Sequence, residues 1–383
     1  MIYFDNAAST KPAEKVIEVM VESMRTLYAN PSAQTIVGFN AEKKIKEARK
    51  VFADIINAKD DEIYFTSGGT EGDNWALFGT AEGYNRSGKH IITTTIEHAG
   101  INSPCEKLEK MGYEITYLNV DEKGYIDLEE LKNAIRKDTI LVSIIFVNNE
   151  VGTIQDMEAI GRIIKEINPE TLFHTDAVQA FGKVKIDVKK MNIDMLSISG
   201  HKFHAPKGIG MFYMKNGLKV RPVILGGGHQ KGQRSGTENA AGCEALAVAA
   251  KLMYDNFESN KQAVYAVKER LWNNIKENIP DVYINGDSLD KASPYVLDVA
   301  FMGLRSEVLL HALEDKGIYV SAGSACNSKK KVQSSVLGAM GLSEKRILGS
   351  IRFSFAEDNT VEEADECAEV LKKLVPMLRR FNK

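Results

Sequence analysis

Cysteine is scarce in this chain, with four residues in 383, at positions 105, 243, 326 and 367. No two form a Cys-x-x-Cys pair, so neither a disulfide framework nor a zinc site is suggested, and a reducing cytoplasm is the expected home. Long apolar runs are missing as well. No segment is hydrophobic over the length a bilayer requires, and Met1-Ile2-Tyr3-Phe4-Asp5-Asn6 has neither a basic nor an apolar leader region, so a soluble, unprocessed chain away from membranes is expected. The charge balance is nearly even, 49 Lys and Arg against 52 Asp and Glu. With no basic block, nucleic acid is not expected as an obligatory partner. The nine prolines are scattered, and no repeat or low-complexity segment marks a linker.

What remains is ample material for packed cores. A hydrophobic content of 44% over 383 residues exceeds the usual size of one core, so two closely joined domains are expected. Short apolar runs at 63–66, 90–94, 115–118, 141–147, 172–175 and 195–198 read as strands. Between them, stretches such as 42–56 and 160–167 carry apolar residues at helical spacing. Alternation of this kind predicts an α/β fold with a mainly parallel sheet covered by helices.

The pattern changes after Gly242, where one long helical stretch, 245–279, precedes strand-like 296–301 and 318–321. The predicted division is a large domain over 15–255 and a smaller α/β domain over 1–14 and 256–383.

In open α/β sheets, ligands bind beyond the carboxyl ends of the strands. Polar groups recur there in this sequence. Thr66-Ser67-Gly68-Gly69-Thr70-Glu71 joins a strand to a helix, a design whose free backbone N–H groups suit a phosphate. By itself it also reads as an ordinary capped turn. Its spacing matches neither G-x-G-x-x-G nor the Walker pattern, which disfavours a nicotinamide oxidoreductase and leaves room for a smaller phosphorylated cofactor. Glu97-His98, Asn148-Asn149-Glu150 and Asp176 with Gln179 follow the next strands. Each alone reads as a cap, turn or structural residue, and their recurrence at one edge points to a site.

Just over twenty residues after Asp176-Ala177-Val178-Gln179 stands Ser197-Ile198-Ser199-Gly200-His201-Lys202. A lysine and an aspartate on separate apolar segments are what a cofactor of the pyridoxal phosphate type needs: an amine to hold it covalently and a carboxylate to keep its ring an electron sink. His201, His204 and Lys207 crowd Lys202 and would depress its proton affinity. Far along the chain, Cys326 has small neighbours, Ala322-Gly323-Ser324-Ala325, and precedes Lys329-Lys330-Lys331. Such flanks predict an exposed, electropositive loop that favours thiolate, whereas the other three cysteines read as buried.

These motifs, with Asn6-Ala7-Ala8, Arg234-Ser235-Gly236-Thr237 and Ser324-Ala325-Cys326-Asn327-Ser328, run in order over nearly the whole chain and together resemble group I cysteine desulfurases of the NifS/IscS type. The resemblance implies a homodimeric fold-type I enzyme of the class V aminotransferase family that uses pyridoxal 5'-phosphate. Lys202 would carry the cofactor, Asp176 would pair with the pyridine nitrogen and His98 would stack on the ring. Gly69, Thr70, Ser199 and His201 would hold the phosphate, with Thr237 reaching it from the other subunit. Asn149 and Gln179 would lie near the ring hydroxyl. Arg352 would grip the carboxylate of L-cysteine through its guanidinium fork.

On the same resemblance, Lys202 would remove the Cα proton, Cys326 would attack the substrate sulfur and keep it as a persulfide, and Lys202 with His98 would reprotonate the product to release L-alanine. The sulfur would pass to an acceptor protein such as an iron–sulfur scaffold. No metal is implied. Three positions depart from the family pattern: Thr35 stands in place of histidine, Gln230 in place of glutamate and Tyr295 in place of asparagine. A selenocysteine lyase would use much the same constellation, and another class V aminotransferase would not need Cys326.

Overall fold

The computed structural model describes residues 1–322 and 334–381. A seven-stranded sheet forms its centre, in the order Ile63–Thr66, Gly210–Met214, Met195–Ser199, Leu172–Asp176, Thr139–Ser143, His90–Thr94 and Glu114–Leu118. Gly210–Met214 runs antiparallel to both neighbours, and every other pairing in this sheet is parallel. Six of the seven strands answer the predicted apolar runs, with ends displaced by a few residues.

Side chains alternate across this sheet with a period of two. Phe65, Val142, Phe173, Leu196 and Met211 enter the core on one face, whereas Tyr64, Leu141, Leu172, Met195 and Phe212 enter that on the other. Helices Ile36–Ile56, Met157–Ile167 and Ala240–Asp255 supply the first face with Ile45, Ile160 and Leu246. Trp75 stacks on Phe212 within the second, ring centroids 4.8 Å apart.

A second hydrophobic cluster lies around a four-stranded antiparallel sheet in the order Ser321–Ala322, Ser350–Ser354, Val296–Phe301, Val282–Asn285. Helices Phe257–Asn278 and Val361–Phe381 pack against it. Phe4, from the N-terminal segment, lies in the same cluster, its ring 5.1 Å from that of Phe355.

The sequence pattern differs from the structure at two places. The helical stretch 245–279 is two helices, Ala240–Asp255 and Phe257–Asn278, because the backbone leaves helical geometry at Asn256, with φ −114° and ψ 20°. Residues 144–147 end the pairing of Thr139–Ser143 early and lead as buried irregular chain into Asn148. Among the described residues no helix is long and apolar enough to cross a membrane.

Candidate active site

The carboxyl ends of Ile63–Thr66, His90–Thr94, Leu172–Asp176 and Met195–Ser199 carry Gly69 and Thr70, His98, Asp176 and Gln179, and Ser199, His201 and Lys202. Leu172–Asp176 and Met195–Ser199 are neighbours, with Asp176 opposite Ser197, so the aspartate and the Ser199-to-Lys202 turn emerge side by side. Lys202 Nζ donates to the carbonyls of Ala7 and Ala8 at 2.7 and 3.0 Å. The N-terminal segment is therefore a wall of the site, fastened further by Thr10 N–H to His201 carbonyl and His204 N–H to Thr10 Oγ1.

Asp176 is buried, and its Oδ1 accepts from the Val178 N–H at 2.9 Å. Burial raises its proton affinity, opposed by that hydrogen bond and by His98 and Lys202 nearby. His98 caps helix Ala99–Lys110 by accepting the Gly100 N–H on Nδ1, 3.0 Å. That bond requires an unprotonated Nδ1, so the ring proton resides on Nε2 and the ring is fixed in orientation.

Helix Gly69–Asn74 starts directly after Gly68 and continues through a π turn at Trp75–Gly79. A Cβ on Gly69 would lie 2.4 Å from Val178 Cγ2, so glycine is what allows this helix start to approach the Asp176 turn. Thr70 is exposed beside it and, with Asn74, His98, Gly100 and Ser103, lines a cleft of about 400 Å³. Ser199 ends its strand. His201 Nδ1 lies 3.3 Å from Ser9 Oγ; burial, then Lys202, Lys207 and Lys183, push its pKa down to about 4, so it is a neutral donor.

Gln179 donates from Nε2 to Ala7 carbonyl (2.9 Å) and accepts from Lys183 Nζ (3.0 Å). Arg352, on Ser350–Ser354, donates to the Asn149 carbonyl and to Asp5 Oδ1, each at 2.9 Å, and its buried Nε has no partner among the described residues. Thr237 is exposed, and among the described residues no hydrogen bond joins it to the Lys202 turn. Cys326 lies outside the described residues.

Several groups around the site escape motif reading. Two further buried carboxyls, Asp73 and Glu97, lie near enough to Asp176 to feel its charge. Burial, reinforced by Asp176, lifts Asp73 well above the carboxylate range and Glu97 to about 8. His174 is pushed down to about 3 by burial and is held between Ser143 Oγ (2.9 Å) and Ser197 Oγ (3.0 Å). Asp176 thus sits among groups held neutral by burial, Asp73, Glu97 and His174. Glu97 adjoins the His98 motif, but nothing in sequence signals that Asp73 faces it.

An amine, a buried carboxylate, an oriented imidazole and a glycine-lined helix start converge here. The unsatisfied guanidinium Nε adds a donor suited to a carboxylate. The donor set fits pyridoxal phosphate as regards an aldehyde-binding amine, a ring-nitrogen partner and anion donors.

A family profile described as Aminotransferase class-V matches residues 2–367. "Cysteine desulfurase IscS" of Methanosarcina thermophila is 44% identical over 381 residues, spanning 100% of this chain and 93% of that protein. "Cysteine desulfurase" of a Nostoc species is 40% identical over 382 residues, spanning 100% and 94%. Among solved structures, a "NIFS-like protein" superposes with a TM-score of 0.93 at 36% identity, covering 98% of this chain and 100% of the other. A structure titled "SspA in complex with cysteine" gives 0.83 at 36%, covering 93% and 99%.

Proposed function

From the premise that this chain belongs to the aminotransferase class-V family, we propose how its residues carry out the reaction of a cysteine desulfurase. It is an enzyme of that kind, converting L-cysteine to L-alanine and releasing sulfur to an acceptor. The observation that carries the reading is the emergence of Asp176 and the Lys202 turn from neighbouring strand ends beneath the Ala7–Ala8 wall.

When bound, pyridoxal 5'-phosphate supplies an electron sink for the Cα carbanion. Lys202 would hold it, Asp176 would pair with its ring nitrogen and His98 would lie against the ring. Gly69, Thr70, Ser199 and His201 would take the phosphate. Asn149 and Gln179 would flank the ring hydroxyl.

Arg352 binds the substrate carboxylate, with Nε the donor still to be satisfied. Lys202 takes the proton from Cα. Cys326 thiolate forms a bond to the substrate sulfur as the Cβ–S bond breaks. The electron pair of that bond stays with the carbon skeleton, which gains protons from Lys202 and His98 and leaves as alanine. The enzyme keeps the sulfur as a Cys326 persulfide, for delivery to a protein such as an iron–sulfur scaffold.

We assign the large domain to 15–255 and the small domain to 1–14 and 256–383, with Arg352 on the latter. A homodimer is supported by exposed apolar side chains, Met24, Tyr28, Ile36, Phe39 and Leu225, whose burial against a second copy would remove them from water. Thr237 would then reach its partner's phosphate. Three free, buried thiols, Cys105, Cys243 and Cys367, suit a reducing cytoplasm.

Borohydride reduction of the purified enzyme followed by peptide mapping tests the cofactor assignment, and a label on any residue except Lys202 would overturn it. Cys326→Ala tests the rest. Release of alanine from cysteine at the parental rate by this variant would exclude the persulfide route and favour another class V activity.

A further inference from the structure

One buried amine in the site has no place in the reaction above. Lys183 is only 5% exposed, and its Nζ donates to Gln179 Oε1 at 3.0 Å. The other end of the Gln179 amide donates to the Ala7 carbonyl at 2.9 Å, and the same carbonyl accepts from Lys202 Nζ at 2.7 Å. Two amines, four residues' worth of polar groups and one shared carbonyl thus form a continuous path.

The Lys183 ammonium also lies over the ring of Tyr295, 5.3 Å from its centroid. Tyr295 is itself buried, and it belongs to the hydrophobic cluster of the small sheet. This is one of the positions at which the chain departs from its family's pattern, and a tyrosine there supplies a π face that an asparagine lacks. A ring face attracts a desolvated cation and so opposes the cost of burying it. The hydroxyl end lies beside Glu357, whose Oε2 is 2.7 Å from His204 Nε2. His204 Nδ1 is 2.8 Å from the Lys11 carbonyl, which can only accept. Both imidazole nitrogens therefore donate, and Glu357 is already matched to a cation.

We propose that Lys183 is a positioning residue for Lys202: its ammonium, held over Tyr295, orients the Gln179 amide against the Ala7 carbonyl and places a positive charge behind the Lys202 amine. The inference rests on Lys202 being the cofactor-bearing lysine. The charged groups that act on Lys183 are Glu357, which favours its ammonium, and Lys202 and Arg352, which oppose it. Those in electrostatic reach of Lys202 include Asp176, His201 and Lys183. Burial brings Lys183 down to about 7, so the charge behind Lys202 is strongest below neutrality and fades above it. A positive neighbour disfavours a protonated nitrogen, so removing it raises the proton affinity at Lys202.

The test is a pH titration of the visible absorbance of the loaded enzyme, compared among the parent, Lys183→Met, Lys183→Arg and Tyr295→Leu. Lys183→Met is expected to raise the titration midpoint by about one unit, a tenfold change in proton affinity. Lys183→Arg keeps the donor and a charge that persists above neutrality, and is expected to leave the midpoint at or below the parental value rather than raise it. Tyr295→Leu removes the ring, discharges Lys183 at lower pH and is expected to move the midpoint part of the way upward. A Lys183→Met midpoint equal to the parent's overturns the proposal, as does a Lys183→Arg midpoint that shifts as far as that of Lys183→Met. Should Lys183→Met fail to fold, an unshifted Tyr295→Leu overturns it equally. Borohydride mapping on each variant separates the two layers: a label away from Lys202 sinks the cofactor assignment, whereas a label on Lys202 with no shift sinks only the role of Lys183.

Discussion

Asp5 and Arg352, 347 residues apart in the chain, form an ion pair of 2.9 Å between the N-terminal segment and the strand Ser350–Ser354. Both side chains are largely shielded from water, with 20% and 11% exposure, so the pair is less screened than a surface bridge. A second Arg352 donor is occupied by the Asn149 carbonyl. The guanidinium is thus held at both ends while none of the described residues satisfies its Nε, the condition under which an incoming carboxylate gains most.

Arg352→Lys keeps the positive charge and can keep the Asp5 contact, but it has no fork. Its KM for L-cysteine should rise roughly 10- to 100-fold, the scale of losing one or two charged hydrogen bonds. The visible absorbance of the loaded enzyme should not change. Steady-state kinetics on the two proteins decide it, and an unchanged KM would remove Arg352 from substrate binding.

Gln230 shows why a departure from a family pattern can be structural. The strand Ile63–Thr66 is an edge of the seven-stranded sheet, and the Gln230 side chain pairs with it as a neighbouring strand would. Its Oε1 accepts the Phe65 N–H and its Nε2 donates to the Phe65 carbonyl, both at 2.8 Å. Glutamate cannot make the second bond when ionised and would set a negative charge against a carbonyl. Gln230→Glu should therefore cost about 1 to 2 kcal/mol in chemical denaturation, the Arg49 contact limiting the loss. A variant as stable as the parent would show that the amide pairing contributes nothing net.

Thr35 is explained more simply. It is the N-cap of helix Ile36–Ile56, where its Oγ1 accepts the Gly38 N–H at 3.2 Å. Thr35→Ala should lower stability by about 1 kcal/mol and leave the KM for cysteine alone. A changed KM with unaltered stability would instead place this position at the substrate entrance.

Legibility in the sequence follows the range of the interaction that matters. Most strand ends are readable because the apolar run stops where a polar motif begins, as Ile63-Tyr64-Phe65 does before the glycines and Leu172-Phe173 before Asp176; Leu141 to Val147 is the exception, its apolar run outlasting the strand Thr139–Ser143. Gly210–Met214 is not readable: it follows a cation-rich loop, contains no β-branched residue and reverses direction in an otherwise parallel sheet. The break at Asn256 carries no proline or glycine to announce it. Asp5 with Arg352, Lys183 with Tyr295 and Asp73 with Asp176 depend on contacts between distant segments, which periodicity does not encode. Ala7 and Ala8 act through their carbonyls, so their side chains carry no signal at all.

Glu97 gives the clearest pH dependence. Its Oε1 accepts from Thr94 Oγ1 and from the Ile145 N–H, both at 2.8 Å, while its buried Oε2 has no partner among the described residues. Burial is the main reason that its pKa is lifted to about 8, the two hydrogen bonds pull against that, and Asp176 adds to it. In the unfolded chain the same carboxyl releases its proton near 4.5. Between these values the folded state holds a proton that the unfolded state has lost, so raising the pH favours unfolding throughout that window. Glutamine cannot ionise: Glu97→Gln keeps the acceptor for Thr94 and Ile145, and any cost of its unpartnered amide is the same at every pH. The unfolding free energy of Glu97→Gln relative to the parent should therefore rise from pH 5 to pH 8, by an amount on the order of a few kcal/mol, and level off above pH 8. Denaturant melts of both proteins at pH 5, 6.5, 8 and 9 measure it. A difference that stays flat over that range would mean that Glu97 is ionised in the folded protein and sets a second negative charge beside Asp176.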